Sequence, residues 1–121
     1  MNRLGKICLT VLLSVAAAGH AHAHAFVDHT EPPVGGKVKQ IPHMVRIWFT
    51  ESIQPALSVI KVFDAAQKQV DKKDTQSDAR DKALLQVSIP SLGPGTYKVI
   101  WRVTSVDGHV TNGDFTFRVA P

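Results

Sequence analysis

The sequence predicts a single domain of the all-β class, folded as a β-sandwich or Greek-key barrel. Beyond residue 25, apolar residues recur at every second position in short segments, which is the spacing of strands with one covered face. Pro, Gly, Asn and Asp stand between these segments and supply the backbone angles that turns require. No segment has the period of an amphipathic helix, which argues against a helical domain.

The predicted strands follow from this alternation, most clearly in the segment that contains Val45, Ile47 and Phe49. The segments with this pattern are 44–51, 56–64, 82–89, 95–105 and 113–120. The stretch "HAFVDHTEP" at 24–32 is predicted to add a short edge strand. The polar segment 64–82 is predicted to be a solvated loop, with a charged hairpin or a single helical turn as the alternatives.

The N-terminal segment has the layout of a secretory signal peptide. Arg3 and Lys6 precede the apolar run 7–18, which is shorter than the roughly 20 residues of a membrane-spanning helix. Small residues follow this run, as they do before a cleavage site. The segment therefore predicts secretion rather than membrane insertion.

Several cleavage positions are compatible with these small residues. Cuts before His22, His24 or Phe26 all place small residues at the preferred positions. We predict the cut before His24, so that residues 1–23 form the signal peptide and residues 24–121 form one small domain. Such a cut exposes a histidine at the new N-terminus.

The composition argues against nucleic-acid binding and against disulfide chemistry. The formal net charge of +4 falls to +2 once Arg3 and Lys6 leave with the signal peptide. The remaining basic residues are scattered singly, unlike the clusters of a nucleic-acid surface. The one cysteine, Cys8, lies in the leader, so the secreted domain has neither a disulfide nor a thiolate ligand.

Hydrolytic catalysis is also poorly supported. No serine has the setting of a nucleophile elbow, and no glycine-rich phosphate loop precedes a helix. Glu31 and Glu51 are the only glutamates, and their spacing does not mark a general acid and base. The chemistry of the protein therefore has to be sought in other side chains.

Metal binding is better supported, because histidine is frequent and two ligand types share one short motif. The histidines that remain after cleavage are His24, His29, His43 and His109. Asp107 and His109, in "VDGHV", are two residues apart, so in an extended segment both side chains point the same way. A surface turn with a hydrogen-bonded histidine is the alternative interpretation, and it is the commoner origin of such a motif.

Cleavage before His24 creates further donor groups. An N-terminal histidine can chelate one ion through its α-amine and its ring Nδ1, whose unperturbed pKa values of about 8 and about 6.5 leave both accessible near neutral pH. Together with His109 and Asp107, these nitrogens form a tetragonal nitrogen and oxygen set that favours one Cu(II) ion over Zn(II). Met44 is the only thioether after the leader, so a sulfur-based Cu(I) site lacks ligands.

Three stretches of the mature chain point to one family. The opening is "HAFVDHTEPPVGG", and "VRIWFTESIQPALSVIKVFDAAQKQV" follows with an F-[ST]-E motif and a hairpin. The most specific stretch is "LGPGTYKVIWRVTSVDGHVTNGDFTFRV", with a Pro-Gly turn, an aromatic strand, the D-G-H motif and a closing strand. In this order the motifs resemble the CopC family of periplasmic copper-binding proteins over essentially the whole mature chain.

This resemblance implies an immunoglobulin-like or cupredoxin-like Greek-key β-barrel in the periplasm, with Cu(II) held by N-terminal His24, Asp107 and His109. It also implies that Glu51 hydrogen-bonds a ligand of the ion. The family's methionine-rich Cu(I) loop has no match, which favours the Cu(II)-only type. The implied protein is a monomeric Cu(II) carrier, buffer or donor in copper homeostasis or resistance, is not an enzyme, and delivers copper to a separate inner-membrane importer.

Two other functions stand as alternatives. An N-terminal histidine chelate is also similar to that of copper-dependent enzymes that cleave polysaccharides oxidatively, but those need a broad aromatic surface and an open axial position. A metal-free structural β-sandwich is the other alternative, and the placement of the histidines argues against it. His29 and His43 match no ligand of the family and are predicted to be surface histidines. Trp48 and Trp101 are predicted to pack in the core of the barrel, with a place on its surface as the alternative.

Overall fold

The computed structural model describes residues 25–121 and confirms the all-β prediction. The strands in this range are β1 (Val27–Glu31), β2 (Lys37–Val38), β3 (Met44–Phe49), β4 (Val59–Phe63), β5 (Gln76–Ser77), β6 (Leu84–Ser88), β7 (Gly95–Thr104) and β8 (Val110–Val119). A short 3-10 helix, Pro55–Leu57, lies between β3 and β4. No helix in the described range has the length and hydropathy to span a membrane. The predicted signal peptide, residues 1–23, and the predicted ligand His24 lie outside the described residues.

The strands form two four-stranded sheets. One sheet has the strand order β1-β3-β6-β5, and the other has the order β2-β8-β7-β4. The pairings between these strands are antiparallel except for that of β2 with β8. Buried residues of both sheets belong to one hydrophobic core. The protein is therefore a β-sandwich, as the sequence predicts.

The alternation that predicts the strands also explains which side chains are buried. Val45, Ile47 and Phe49 of β3 face the core, whereas Trp48 between them faces outward and is half-buried. Full burial of a side chain such as Ile47 contributes about 1.5–3 kcal/mol relative to an exposed position. A slip of β3 by one residue would expose its whole apolar face, so the core fixes the register of this strand.

The starts of β4 and β8 each differ from the prediction by three residues. The strand predicted at 56–64 begins only at Val59, because Pro55 lacks a backbone N–H and starts the 3-10 helix instead. The last strand begins at Val110 rather than at residue 113, because β8 pairs with β7 as far as the turn. Thr111 and Gly113 occupy the first inward-facing positions of β8, so no apolar alternation marks its start.

The prediction of a solvated loop for residues 64–82 is wrong in part, because this segment covers the edge of β4. It contains β5, which pairs with β6. Asp71 is buried, and its Oδ1 accepts a hydrogen bond from the backbone N–H of Val62 at 2.8 Å. The hydroxyl of Thr75 accepts a second one from Ile60 at 3.2 Å. Polar side chains thus bond the edge of β4 as a neighbouring strand would. The polar composition of this segment indicates only a loop and does not reveal this role.

Candidate metal centre

Asp107 and His109 lie in the turn that connects β7 to β8. Two backbone hydrogen bonds of 2.9 Å close this turn, from Ser105 N to the His109 carbonyl and from Gly108 N to the Ser105 carbonyl. Gly108 has a φ of +88°, in the left-handed region that favours glycine. The glycine of the D-G-H motif therefore permits the tight turn that brings the two side chains together.

The two side chains predicted as ligands are in direct contact. The Nδ1 of His109 is 3.0 Å from the Oδ2 of Asp107. The other carboxylate oxygen accepts hydrogen bonds from the Ser105 hydroxyl and, at 3.2 Å, from the backbone N–H of His109. The side chains of His109 and Asp107 remain 37% and 38% exposed. An ion can therefore approach this pair from solvent.

Hydrogen bonds stabilise the ionised form of the carboxylate. The Ser105 hydroxyl, followed by the side chain and backbone N–H of His109, lowers the pKa of Asp107 from 3.8 to about 2. Ser105 is itself fully buried, so its hydroxyl is held in place by the core. Asp107 is therefore an anion near neutral pH and can bind a cation without first losing a proton.

The same contact determines which nitrogen of His109 suits a metal ion. A neutral imidazole that donates its Nδ1–H to a carboxylate carries its lone pair on Nε2. Histidine ligands of metal ions commonly make this kind of hydrogen bond, which fixes the orientation of the ring and raises its basicity. An imidazole and a carboxylate together fit divalent ions that accept nitrogen and oxygen ligands, such as Cu(II) and Zn(II).

The described chain begins beside this turn. Ala25 is 1% exposed and packs in the core, and its carbonyl accepts a hydrogen bond from Thr111 Oγ1 at 2.9 Å. Thr111, in β8, follows His109 by two residues, and both residues are half-buried. Phe26 and Thr50 exchange two hydrogen bonds, from Phe26 N to Thr50 Oγ1 at 3.0 Å and from Thr50 N to the Phe26 carbonyl at 2.8 Å. Position 25 is thus held near the D-G-H turn.

Glu51, predicted to hydrogen-bond a ligand, lies at the same end of the sandwich. It follows Thr50, which binds Phe26, and it precedes Ser52, whose carbonyl accepts a hydrogen bond from Val106 N at 3.1 Å. The Glu51 side chain is half-buried. Its neighbours in sequence therefore contact both the start of the described chain and the turn, and its bond to a ligand stays a prediction.

The other described histidines lie elsewhere on the surface, as predicted. His29, on β1, stacks on Trp48 with ring centroids 4.2 Å apart, and its Nδ1 is 2.6 Å from the Oδ2 of Asp28. His43 is exposed just before β3. Of the two tryptophans, Trp48 lies on the outer face of its sheet and Trp101 is buried in the core.

Within residues 25–121, no group of three or more His, Cys, Asp or Glu side chains could hold a metal ion. The turn supplies Asp107 and His109, and the third predicted ligand, His24, lies outside this range. The sequence prediction did not include Ser105 and Thr111. Their signal is the run of polar residues at every second position from 105 to 111, where a strand that faces the core is usually apolar.

Comparison with known proteins identifies the family. Residues 27–120 match the CopC domain. The chain is 30% identical over 115 residues to Protein YobA of Escherichia coli (strain K12), and the match covers 94% of this chain and 93% of YobA. The crystal structure of CopC from Methylosinus trichosporium OB3b has a TM-score of 0.76 and 32% identity, covering 81% of this chain and 95% of that chain.

A second similar crystal structure is that of a copper resistance protein. PcoC from Escherichia coli, a methionine-rich copper resistance protein, has a TM-score of 0.71 and 26% identity, covering 80% of this chain and 99% of that chain. The family match extends over nearly all described residues, and these relatives are matched over most of their own length. The chain therefore belongs to the CopC family, and its function is related to copper.

Proposed function

We propose that the mature protein is a periplasmic Cu(II) carrier or buffer that acts in copper homeostasis or resistance. The observation that supports this most is the 2.9 Å hydrogen bond between Thr111 Oγ1 and the Ala25 carbonyl. It fixes position 25 on the strand that follows His109. Cleavage before His24 would then create a terminal amine and an imidazole one residue away from this contact.

In this proposal one Cu(II) ion is held by His24, Asp107 and His109. His24 contributes its α-amine and Nδ1, His109 contributes Nε2, and Asp107 contributes a carboxylate oxygen. The pKa of Asp107, lowered to about 2, means that this oxygen stays anionic even in moderately acidic solution. Neutral nitrogens with one anionic oxygen suit the tetragonal geometry of Cu(II).

The described residues offer little to Cu(I), so we propose a Cu(II)-only site. Cu(I) prefers thiolate and thioether ligands, and residues 25–121 contain no cysteine and only one methionine, Met44. The Sδ of Met44 is 3.7 Å from the Nη2 of Arg46. A guanidinium at this distance disfavours a second cation at the same sulfur. PcoC, by contrast, is described as methionine-rich.

The proposed function includes export and delivery. Residues 1–23 would direct the chain to the periplasm, and their removal would create the terminal amine. The precursor would therefore bind Cu(II) weakly until it is processed. We propose that the mature protein is a monomer without catalytic activity and that a separate inner-membrane importer receives its copper.

Mass spectrometry of the protein purified from the periplasm tests the cut and the stoichiometry together. The expected denatured mass is that of residues 24–121, and the expected native mass is higher by one copper ion. The matched control is the same chain with its α-amine acetylated, which removes the amine from the chelate and should lower the copper-bound fraction in the native mass. A mature chain that starts at Phe26, or one that starts at His24 without binding Cu(II), would contradict the proposal.

A further inference from the structure

Two threonines hold residues 25 and 26 on opposite sheets of the sandwich. Thr111, in β8, donates its hydroxyl to the Ala25 carbonyl at 2.9 Å. Thr50, directly after β3, accepts from Phe26 N at 3.0 Å and donates its own N–H to the Phe26 carbonyl at 2.8 Å. We call Thr50 and Thr111 the threonine pair. They fasten the chain immediately after the predicted cleavage site.

Burial of the Ala25 and Phe26 side chains explains only part of the order at this end of the described chain. Ala25 places a single methyl group in the core, and Phe26 is 61% exposed. The first residues of a domain are poorly ordered unless specific contacts hold them. The hydrogen bonds of the threonine pair therefore supply much of the order at this end.

The strand register relates this attachment to the D-G-H turn. From residue 109 to 115, odd-numbered residues are half-buried or buried and even-numbered residues are exposed. Thr111, the second residue of β8, thus lies on the same half-buried side as His109, which directly precedes the strand. Thr111 therefore holds Ala25, the residue that directly follows the proposed terminal histidine, on the strand that follows His109.

We propose that Thr111 and Thr50 are positioning residues of the copper site, which order the chain end before copper arrives. The inference rests on the proposed function, because it assigns these residues a role toward the chelate of His24. A chain end that is already in place loses less conformational entropy when it binds the ion. The threonine pair should therefore raise Cu(II) affinity without touching the ion.

Titration of the mature protein with Cu(II), in competition with a chelator of known affinity, tests this role. Thr111→Val keeps the β-branched shape and removes the hydroxyl, so the Kd for Cu(II) should rise about three- to tenfold. The Cu(II) electron paramagnetic resonance spectrum should change as well. Thr111→Ser restores the hydroxyl and should restore both affinity and spectrum.

Thr116→Val is the matched control, because Thr116 is exposed on the same strand. Its Kd and spectrum should equal those of the wild type. A wild-type Kd in Thr111→Val, or the same loss in Thr116→Val, would overturn the inference. If Thr111→Val does not fold, as judged by thermal unfolding without copper, Thr50→Val provides the test with the same expected loss, because it removes the acceptor for Phe26 N.

A double-mutant cycle separates positioning from a general effect on the turn. In a His24→Ala background the chain end keeps its α-amine but loses its imidazole, so it can no longer chelate the ion. Thr111→Val should then cause a smaller loss than in the wild type, because Thr111 positions only one weak donor. An equal loss in both backgrounds would show that Thr111 acts on the turn itself and would overturn the inference. Failure of the proposed function looks different, since His24→Ala would then bind Cu(II) like the wild type.

Discussion

Residues 25–121 contain two contacting pairs of aspartate and histidine, and only one of these pairs has the surroundings expected of a metal site. The distance from Nδ1 to Oδ2 is 2.6 Å in the pair Asp28–His29 and 3.0 Å in the pair Asp107–His109. Asp28 and His29 are adjacent on β1, and their side chains are 62% and 55% exposed. Contact between a carboxylate and an imidazole is therefore not sufficient to identify a site.

The groups around each pair make the difference. Asp107 also accepts hydrogen bonds from the buried Ser105 hydroxyl and from a backbone N–H, so its carboxylate is held in one orientation. The imidazole of His29 stacks on Trp48, an indole that has no lone pair to offer a metal ion. A buried hydrogen-bond partner for the carboxylate, here Ser105, therefore distinguishes the candidate site from a surface contact.

The largest expected effect concerns His24. His24→Ala should raise the Kd for Cu(II) more than about 100-fold, above the 10–100-fold typical of groups that only hydrogen-bond a ligand. His29→Ala, in the other pair, should leave the Kd unchanged. Competition titration of the two mature variants measures both values. Equal losses would remove the distinction between the two pairs.

Lowering the pH should weaken copper binding strongly, because protons compete with the ion for the terminal amine and the imidazoles. The affinity should fall by up to about tenfold per pH unit for each nitrogen that gains a proton. Asp107, with a pKa of about 2, takes up no proton in this range. Titrations at stepped pH between about 7.5 and about 5 measure the slope. A flat profile would contradict a site built from these nitrogens.

Asp107→Ala should weaken binding about 10–100-fold and alter the visible and electron paramagnetic resonance spectra of bound Cu(II). The carboxylate is lost both as an oxygen donor and as the partner of His109. Asp28→Ala is the matched change in the other pair and should alter neither property. If Asp107→Ala keeps the wild-type spectrum, the carboxylate is not a ligand and serves only to orient the imidazole.

The site also explains where the strand prediction was wrong. Strand β3 is evident in the sequence because its inward positions are apolar throughout. The first inward positions of β8 hold Thr111 and Gly113, which serve other contacts. A Cβ on Gly113 would lie 2.6 Å from Cζ2 of Trp101, so only glycine fits against this ring. The apolar alternation is absent at the start of β8 because Thr111 bonds Ala25 and Gly113 makes room for Trp101, so neither residue places an apolar side chain in the core.

The candidate site could be predicted only as far as its contacts are local. Asp107 and His109 are two residues apart, so their closeness could be predicted, although a turn with Gly108 at a φ of +88° and not an extended strand brings their side chains together. The bond between Thr111 and Ala25 joins residues 86 positions apart, so no spacing rule could reveal it. Ser105 acts through its burial, which depends on the packing of the whole core.

Ser105→Ala should have the smallest effect, because it removes one hydrogen bond to Asp107 and no ligand. The pKa of Asp107 should rise from about 2 toward 3.8, since the Ser105 hydroxyl is the largest cause of its lowering. Asp107 stays ionised near neutral pH, so the Kd for Cu(II) should change less than about tenfold. Carbon NMR of the carboxyl group across acidic pH measures the pKa, with Ser91→Ala, an exposed serine, as the control.

The lowered pKa also predicts how this variant responds to acid. A carboxyl whose pKa is lower in the folded state stabilises the fold above its unfolded value of 3.8, and this contribution disappears as the pH falls through about 2. The wild type should therefore be more stable than Ser105→Ala near neutral pH, and the gap should narrow in strong acid. Chemical unfolding of both proteins near neutral pH and in strong acid measures this difference in the free energy of unfolding. If the difference in stability does not change with pH, the effect of Ser105 comes from its packing in the core and not from its hydrogen bond to Asp107. The buried serine would then not distinguish the Asp107–His109 pair from the Asp28–His29 pair.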